Sequence, residues 1–146
     1  MSDVIDAPTG LERVRAMLAS GDQPPMGRTL DFALVEVDEG RAVFEAVPGE
    51  HAYNPMGQIH GGYIATLLDS ACGIATFSRL APGQSFTTLE LKIAYHRTMT
   101  AATGPVRAEG IVTVFGRRIA YAEARLTDAS GRLLASATST LMVLEQ

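Results

Sequence analysis

Hydrophobic and polar positions follow two different periods along the chain, and these periods predict its elements. Residues 11–20 place apolar side chains on one face at helical spacing, which predicts a short amphipathic helix. Residues 28–37 and 41–47 are apolar and partly β-branched with turn residues between them, and they predict a hairpin. Residues 61–78 are apolar at almost every position, which predicts a helix that is buried on most sides.

A period of two dominates the second half of the chain and predicts four strands, 89–95, 105–115, 119–127 and 132–144. In the first of them, one face is expected to carry Leu89, Leu91, Ile93 and Tyr95. In the third, alanines share one face at Ala120, Ala122 and Ala124, so a helix is expected to lie close against that face. Strands grouped around one helix predict an α+β fold with a largely antiparallel sheet wrapped around one long buried helix.

Composition narrows the class of protein. The 146 residues are expected to form one domain, with an N-terminal helix and linker at 1–27 and the main domain at 28–146. The net charge of −4 without a basic cluster argues against a nucleic-acid partner. Asp69 within the apolar run disfavours a membrane span. A single cysteine, and no signal-peptide pattern in residues 1–7, lead us to expect a cytoplasmic protein.

One charged side chain, Asp69, interrupts the apolar run 61–78. A carboxylate in such a helix is costly unless it is paired, hydrogen-bonded or used in chemistry, so structural and catalytic roles are both open. The first turn of a helix leaves backbone N–H groups without partners. Because Gly61 and Gly62 have no side chains, a carbonyl oxygen can approach those groups, as in an oxyanion hole. Tight packing of the helix start is the alternative interpretation.

The spacing of these residues also predicts an assembly. Asp69 lies eight residues after Gly61, which is roughly 12 Å along a helix. Two antiparallel helices would bring Asp69 of one copy close to His60 and Gly61 of another. A two-fold homodimer makes that arrangement twice. We therefore expect a homodimer or a dimer of dimers (a homotetramer), with the site at the subunit interface.

A set of motifs surrounds the start of the long helix: Asn54-Pro55-Met56-Gly57-Gln58-Ile59-His60-Gly61-Gly62 and then Leu67-Leu68-Asp69. This set resembles the signature of the PaaI-like acyl-CoA thioesterases of the hotdog superfamily. Later stretches at 88–95, 104–106, 116–120 and 124–128 also resemble that family. The likeness covers about residues 28–144. It implies a hotdog fold and hydrolysis of an acyl-CoA thioester, aryl-acyl or medium-chain, to a carboxylic acid and free CoA.

The resemblance also implies roles for individual residues. Asp69 matches the carboxylate that acts as nucleophile or general base, and the Gly61 N–H matches the group that polarises the thioester carbonyl. Asn54 and His60 match side chains that orient the thioester or water. Thr88 matches a hydroxyl beside the carboxylate, with the adjacent Thr87 as the alternative.

Substrate-binding positions follow from the same resemblance. The family implies contacts with the substrate or its CoA phosphates at Gly62, Arg97, Arg117 and Arg118. No cofactor is implied, because coenzyme A is part of the substrate. Met56, Tyr63, Phe77 and Phe86 are candidates for the acyl pocket, with core packing as the alternative for each.

Other chemistries are less well supported. The spacing of His51, His60 and His96 matches no compact zinc pattern, so no metal is expected. Cys72 has no basic neighbour and is expected to be a core residue. Two rival functions remain: a hotdog enoyl-CoA hydratase or dehydratase, and a non-catalytic acyl-CoA-binding module.

Overall fold

The computed structural model describes residues 6–146. The first five residues, which belong to the predicted segment 1–27 and to the stretch without a signal-peptide pattern, lie outside that range. The helices are α1 (Gly10–Ser20), α2 (Pro25–Leu30) and α3 (Gly61–Phe77). The strands are β1 (Phe32–Asp38), β2 (Arg41–Ala46), β3 (Gln84–Tyr95), β4 (Val106–Phe115), β5 (Ile119–Asp128) and β6 (Leu133–Glu145). Short 3-10 turns occupy Glu50–Ala52 and Ala101–Thr103.

The six strands form one antiparallel sheet in the order β1-β2-β4-β5-β6-β3. The helix α3 packs against one face of this sheet and contacts every strand. The sheet can approach α3 closely because small residues line its middle, including Ala108, Ala122 and Ala124, all at most 2% exposed. A Cβ at Gly110 would overlap the Ala71 carbonyl oxygen of α3. The predicted α+β hotdog fold is confirmed.

The predicted hairpin begins too early. Residues 28–30 belong to α2 rather than to the first strand, and Pro25 starts that helix instead of lying in a linker. Proline suits the first helical position because its fixed φ matches the helix and its missing N–H would have no partner there. Asp31 ends the helix in the left-handed region, at φ 60°. The other predicted boundaries agree within about two residues, except that β3 starts at Gln84 instead of residue 89.

The strand β3 contains a bulge that changes which residues face α3. Its register with β6 shifts between Thr88 and Glu90, so Leu89 is an extra residue. Leu91 and Ile93 pack against the core, whereas Leu89 is 52% exposed. The prediction that Leu89 shares a face with Leu91 is therefore wrong, because the inserted residue interrupts the period of two.

None of the three helices described between residues 6 and 146 combines the length and the apolar character that a membrane crossing requires.

Candidate active site

The start of α3 leaves one backbone donor free. His60 caps the helix, and its Nδ1 accepts a hydrogen bond from the Gly62 N–H at 2.8 Å. That bond requires Nδ1 to be unprotonated, so a neutral His60 carries its hydrogen on Nε2 and can donate from there. Within residues 6–146 no acceptor takes the Gly61 N–H. Gly61 therefore offers a backbone donor at the positive end of the helix dipole.

Asn54 shapes the loop that leads into this helix. Its side-chain oxygen accepts from the N–H groups of Met56 at 2.9 Å and Gln58 at 3.1 Å. The loop is then anchored by the Ile59 N–H, which donates to the Met99 carbonyl at 2.8 Å. The Asn54 oxygen is thus committed to the loop. Its amide nitrogen is the part of the side chain that this pattern leaves for other partners.

Tyr95 is a residue of this region that sequence reasoning assigned only to a strand face. Its hydroxyl donates to the Gly61 carbonyl oxygen at 2.8 Å, and it would lie 3.1 Å from a Cβ placed on Gly61. Any larger residue at position 61 would press on this ring. A cavity of about 290 Å³ lies here and is lined by Asn54, Gly61, Tyr95 and Arg97, among others. We call Asn54, His60, Gly61 and Gly62 the amide half-site.

Asp69 lies two turns further along α3 and is half-buried. One of its oxygens accepts from the Thr88 hydroxyl at 3.1 Å. Thr88 is the threonine that makes this contact, whereas Thr87 is exposed. Asp69 and Thr88 also line a separate cavity of about 180 Å³ that has largely apolar walls. We call Asp69 and Thr88 the carboxylate half-site.

One chain keeps the two half-sites apart. The amide half-site borders one cavity and the carboxylate half-site borders another, and none of the residues described from 6 onward lines both. The separation follows from the helix, because Gly61 and Asp69 are about 12 Å apart along its axis. The structure therefore brings the predicted site residues together in two groups, not in one.

The predicted CoA-binding arginines also lie in two separate places. Arg97 follows β3 and lines the cavity of the amide half-site, and its N–H donates to the Leu134 carbonyl at the start of β6. Arg117 and Arg118 lie in the turn between β4 and β5, and the Arg118 carbonyl accepts from Val143 near the end of β6. All three side chains are exposed. Within one chain they lie at opposite ends of the sheet.

Cys72 faces the core and is fully buried. Burial, with the nearby charge of Asp69 as a smaller cause, raises the pKa of the Cys72 thiol to about 12. The thiol therefore carries almost no thiolate near neutral pH, which agrees with the prediction that it is a core residue.

The candidates for the acyl pocket have different positions. Phe86 lines the cavity beside Asp69. Met56 is 76% exposed in the loop, Tyr63 is buried in the core, and Phe77 contacts Phe86 edge-to-face while Arg13 stacks on its ring. Of the four, only Phe86 borders that cavity.

Comparison with known proteins identifies the family. A family model described as the Thioesterase superfamily matches residues 56–135, more than half of the chain. A protein of Saccharolobus solfataricus, provisionally named an esterase, is 31% identical over 115 residues, covering 79% of this chain and 80% of that protein. The 1,4-dihydroxy-2-naphthoyl-CoA hydrolase of Listeria monocytogenes is 26% identical over 115 residues, covering 79% and 92%.

Solved structures agree with this family assignment. A thioesterase family protein from Silicibacter pomeroyi superposes with a TM-score of 0.81 at 27% identity, covering 94% of this chain and 99% of that one. A variant of the phenylacetic acid degradation protein PaaI from Thermus thermophilus gives 0.74 at 26%, covering 82% and 98%. A Streptococcus mutans protein bound to acetyl CoA gives 0.71 at 26%, covering 79% and 90%. The chain belongs to the Thioesterase superfamily and is a PaaI-like hotdog thioester hydrolase.

Proposed function

We propose that this enzyme hydrolyses an acyl-CoA thioester to a carboxylate and free CoA, at two sites formed between two copies of the chain. The observation that carries the proposal is the division of the site residues into two half-sites, at the start and in the middle of one helix, next to the edge strand β3, whose outer side pairs with no strand among residues 6–146. A relative named as a CoA-thioester hydrolase and a structural neighbour with bound acetyl CoA support CoA as the carrier of the acyl group.

The amide half-site would hold the thioester carbonyl. The free Gly61 N–H donates to the carbonyl oxygen and stabilises the negative charge that develops there as the carbonyl becomes tetrahedral. The positive end of the α3 dipole adds to this stabilisation. His60, through Nε2–H, and the Asn54 side-chain amide would orient the thioester or the attacking water, because both groups can donate hydrogen bonds there.

The carboxylate half-site would supply the attacking group. Asp69 acts either as the nucleophile on the acyl carbon or as the base that takes a proton from water. Thr88 donates to one carboxylate oxygen and leaves the other for this chemistry. In the net reaction, the C–S bond breaks, water supplies the new oxygen of the acid, and the sulfur leaves as a thiolate that takes up a proton. A thiolate leaves readily, so a strong general acid is not needed.

The edge strand β3 offers a way to join the half-sites. If two copies of β3 pair antiparallel about a two-fold axis at Leu91, the bulge at Leu89 sets Thr88 opposite Ile93 of the second copy, on the same face of the sheet as its Tyr95. Tyr95 contacts Gly61, so the carboxylate half-site of one copy meets the amide half-site of the other. The same register sets Glu90 opposite Lys92 of the second copy, which gives an opposite-charge pair on each side of the axis.

The same pairing would also unite the divided arginines. The end of β3 in one copy then lies beside the start of β3 in the other, so Arg97 approaches the turn that carries Arg117 and Arg118 of its partner. Arginine suits phosphate because its planar guanidinium can donate two parallel hydrogen bonds. We assign the CoA phosphates to this group of three arginines, with the backbone of Gly62 close to the thioester.

Release of free thiol from a panel of acyl-CoAs tests the proposal, with wild type, Asp69→Ala and the control Asp22→Ala compared. Asp22 lies exposed in the segment between α1 and α2. We expect Asp69→Ala to lower kcat by on the order of a hundredfold or more while the control keeps its activity. Circular dichroism melting verifies that each variant is folded. Acyl-CoA binding by wild type without thiol release from any substrate would overturn hydrolysis and favour a binding module.

A further inference from the structure

The cavity beside Asp69 has walls from a part of the chain that the family model does not match. It has a volume of about 180 Å³ and opens next to the carboxylate half-site. Besides Asp69, Thr88 and Ser70, its lining residues are apolar or glycine: Pro24, Met26, Phe32, Phe44, Gly73, Ile74 and Phe86. Four of these precede residue 56, where the match to the family model begins. The segment that includes α2 and β1 therefore forms part of the cavity wall, although it lies outside the match to the family model.

The inner part of the wall is formed by packed aromatic rings. Phe32 and Phe44 pack edge-to-face with centroids 5.7 Å apart and are 5% and 1% exposed. Phe86 packs edge-to-face on Phe77 at 6.1 Å. A Cβ on Gly73 would lie 3.1 Å from the Phe86 ring, so the glycine keeps this side of the cavity open. Buried rings in a packed core resist displacement, so Phe32 and Phe44 define a fixed inner surface.

Met26 differs from the other lining residues. It is 52% exposed, whereas the other lining residues described between 6 and 146 are buried or half-buried, so Met26 lies at the rim of the cavity. It stands on α2, a six-residue helix outside the sheet. Methionine is unbranched and has three rotatable side-chain bonds, which lets it adapt to differently shaped neighbours. The cavity thus combines a fixed aromatic interior with one adaptable side chain at its opening.

We propose that this cavity binds the acyl group and that Met26 sets the largest acyl group that the enzyme accepts. The inference rests on the proposed function, since it takes Asp69 as the attacking carboxylate. An apolar cavity of roughly 150 Å³ is known to hold benzene, so this one suits a single aromatic ring or an aliphatic chain of similar volume. Longer acyl groups must pass Met26 to reach solvent.

Values of kcat/KM for acetyl-, hexanoyl-, decanoyl- and phenylacetyl-CoA test the role of Met26 in wild type, Met26→Ala and Met26→Phe. We expect Met26→Ala to raise the decanoyl-to-hexanoyl ratio by about tenfold and Met26→Phe to lower it, since a pocket discriminates by on the order of tenfold or more per methylene. Val114→Ala is the control, because Val114 is 55% exposed on β4 and does not line the cavity.

Binding of the same acyl groups as non-hydrolysable CoA thioethers, measured by calorimetry, tests the cavity without turnover. We expect the order of affinities to shift with Met26 in the same direction as the rates. An unchanged chain-length order in both Met26 variants, in rate and in binding, would overturn the role of Met26 and leave hydrolysis at Asp69 intact. Absence of hydrolysis by wild type, with Met26-dependent binding, would instead overturn the proposed function and keep the acyl site.

Discussion

Thr88 and Tyr95 lie seven residues apart on β3, an odd interval, and yet both side chains reach α3. In a regular strand they would face opposite sides of the sheet. The bulge at Leu89 adds one residue and restores the common face, so Thr88 reaches Asp69 and Tyr95 reaches Gly61. One irregularity in one strand therefore supports both half-sites.

Thr88→Val should lower kcat because it removes the hydrogen bond that fixes the Asp69 carboxylate. A hydrogen bond to a charged group contributes about 1.5–3 kcal/mol, so we expect a loss of roughly tenfold to a hundredfold. Thr87→Val is the matched control, since Thr87 is the exposed neighbour of Thr88. Steady-state thiol release measures both variants. Equal effects of the two substitutions would contradict a specific role for Thr88.

Tyr95→Phe should lower kcat more than it changes KM, because the Tyr95 hydroxyl holds the Gly61 carbonyl and with it the start of α3. A neutral hydrogen bond contributes about 1 kcal/mol, which corresponds to a loss of roughly fivefold. Tyr121→Phe on the outer face of β5 is the control. An unchanged kcat in Tyr95→Phe would show that the Gly61 N–H is held in place without this contact.

Two inactive variants should restore each other's activity if each site combines residues of two copies. Asp69→Ala removes the carboxylate half-site, and His60→Ala damages the amide half-site. One of the two sites in each mixed dimer is intact, so purified mixed dimers are expected to have about half of the wild-type activity. Co-expression with two affinity tags, followed by tandem purification and thiol-release assay, provides the measurement.

The activity of the mixed dimers distinguishes a site shared between two chains from a site formed within one chain. If one chain formed a whole site, a mixed dimer of these variants would have no intact site, and its activity would stay at the level of the single variants. The control is the same pair of tags on two Asp69→Ala chains, which must remain inactive in either case.

The charges at the centre of β3 should control assembly. Lys92→Glu would place like charges opposite each other across the two-fold axis, and like charges directly opposite on paired strands are destabilising. We expect the dimer dissociation constant to rise by about tenfold, as measured by analytical ultracentrifugation over a dilution series. The double swap Glu90→Lys with Lys92→Glu should recover most of the affinity. Failure of the double swap to recover it would exclude this register.

Acid stability should depend on Glu36. Hydrogen bonds from Arg107 and then Arg41 lower the pKa of Glu36 below its ordinary value of 4.5. A lowered pKa in the folded state means that the stabilisation is present above about pH 4.5 and is lost as the pH falls through the folded-state pKa. The Tm difference between wild type and Glu36→Gln should therefore shrink in acid.

The exposed Glu50 supplies the comparison, since it takes part in no ion pair among residues 6–146. Melting temperatures of wild type, Glu36→Gln and Glu50→Gln between pH 3 and pH 7, about the range in which carboxyl groups titrate, give the measurement. A Tm difference for Glu36→Gln that stays constant over this range would contradict the role of its ion pairs.

Much of the fold was predictable because its signals are local. The apolar run 61–78 predicted α3, and the alanines of β5 predicted the close approach of that helix, since both patterns depend on burial alone. The bulge at Leu89 carries no comparable signal, because an inserted residue leaves the composition of a strand unchanged. The helix α2 was missed because its six residues are too few for helical periodicity to be visible.

The candidate site was predictable only where residues are close in the sequence. His60, Gly61 and Gly62 are consecutive, and the capping bond of His60 to Gly62 depends on that proximity. The contact between Tyr95 and Gly61 joins residues 34 positions apart, and no property of either residue indicates it. The choice between Thr87 and Thr88 likewise needed the orientation of β3 toward α3.

The small residues under α3 also restrict how this enzyme can evolve. Gly110 and the alanines of β4 and β5 leave no space between helix and sheet, so an acyl cavity cannot extend toward the middle of the sheet without separating the two layers. In the proposed acyl site, new substrate preferences would then arise at the periphery, in the residues around α2 and in the aromatic rings of β1 to β3. Selection can therefore change the acyl preference of descendants of this chain while the catalytic centre and the core stay the same.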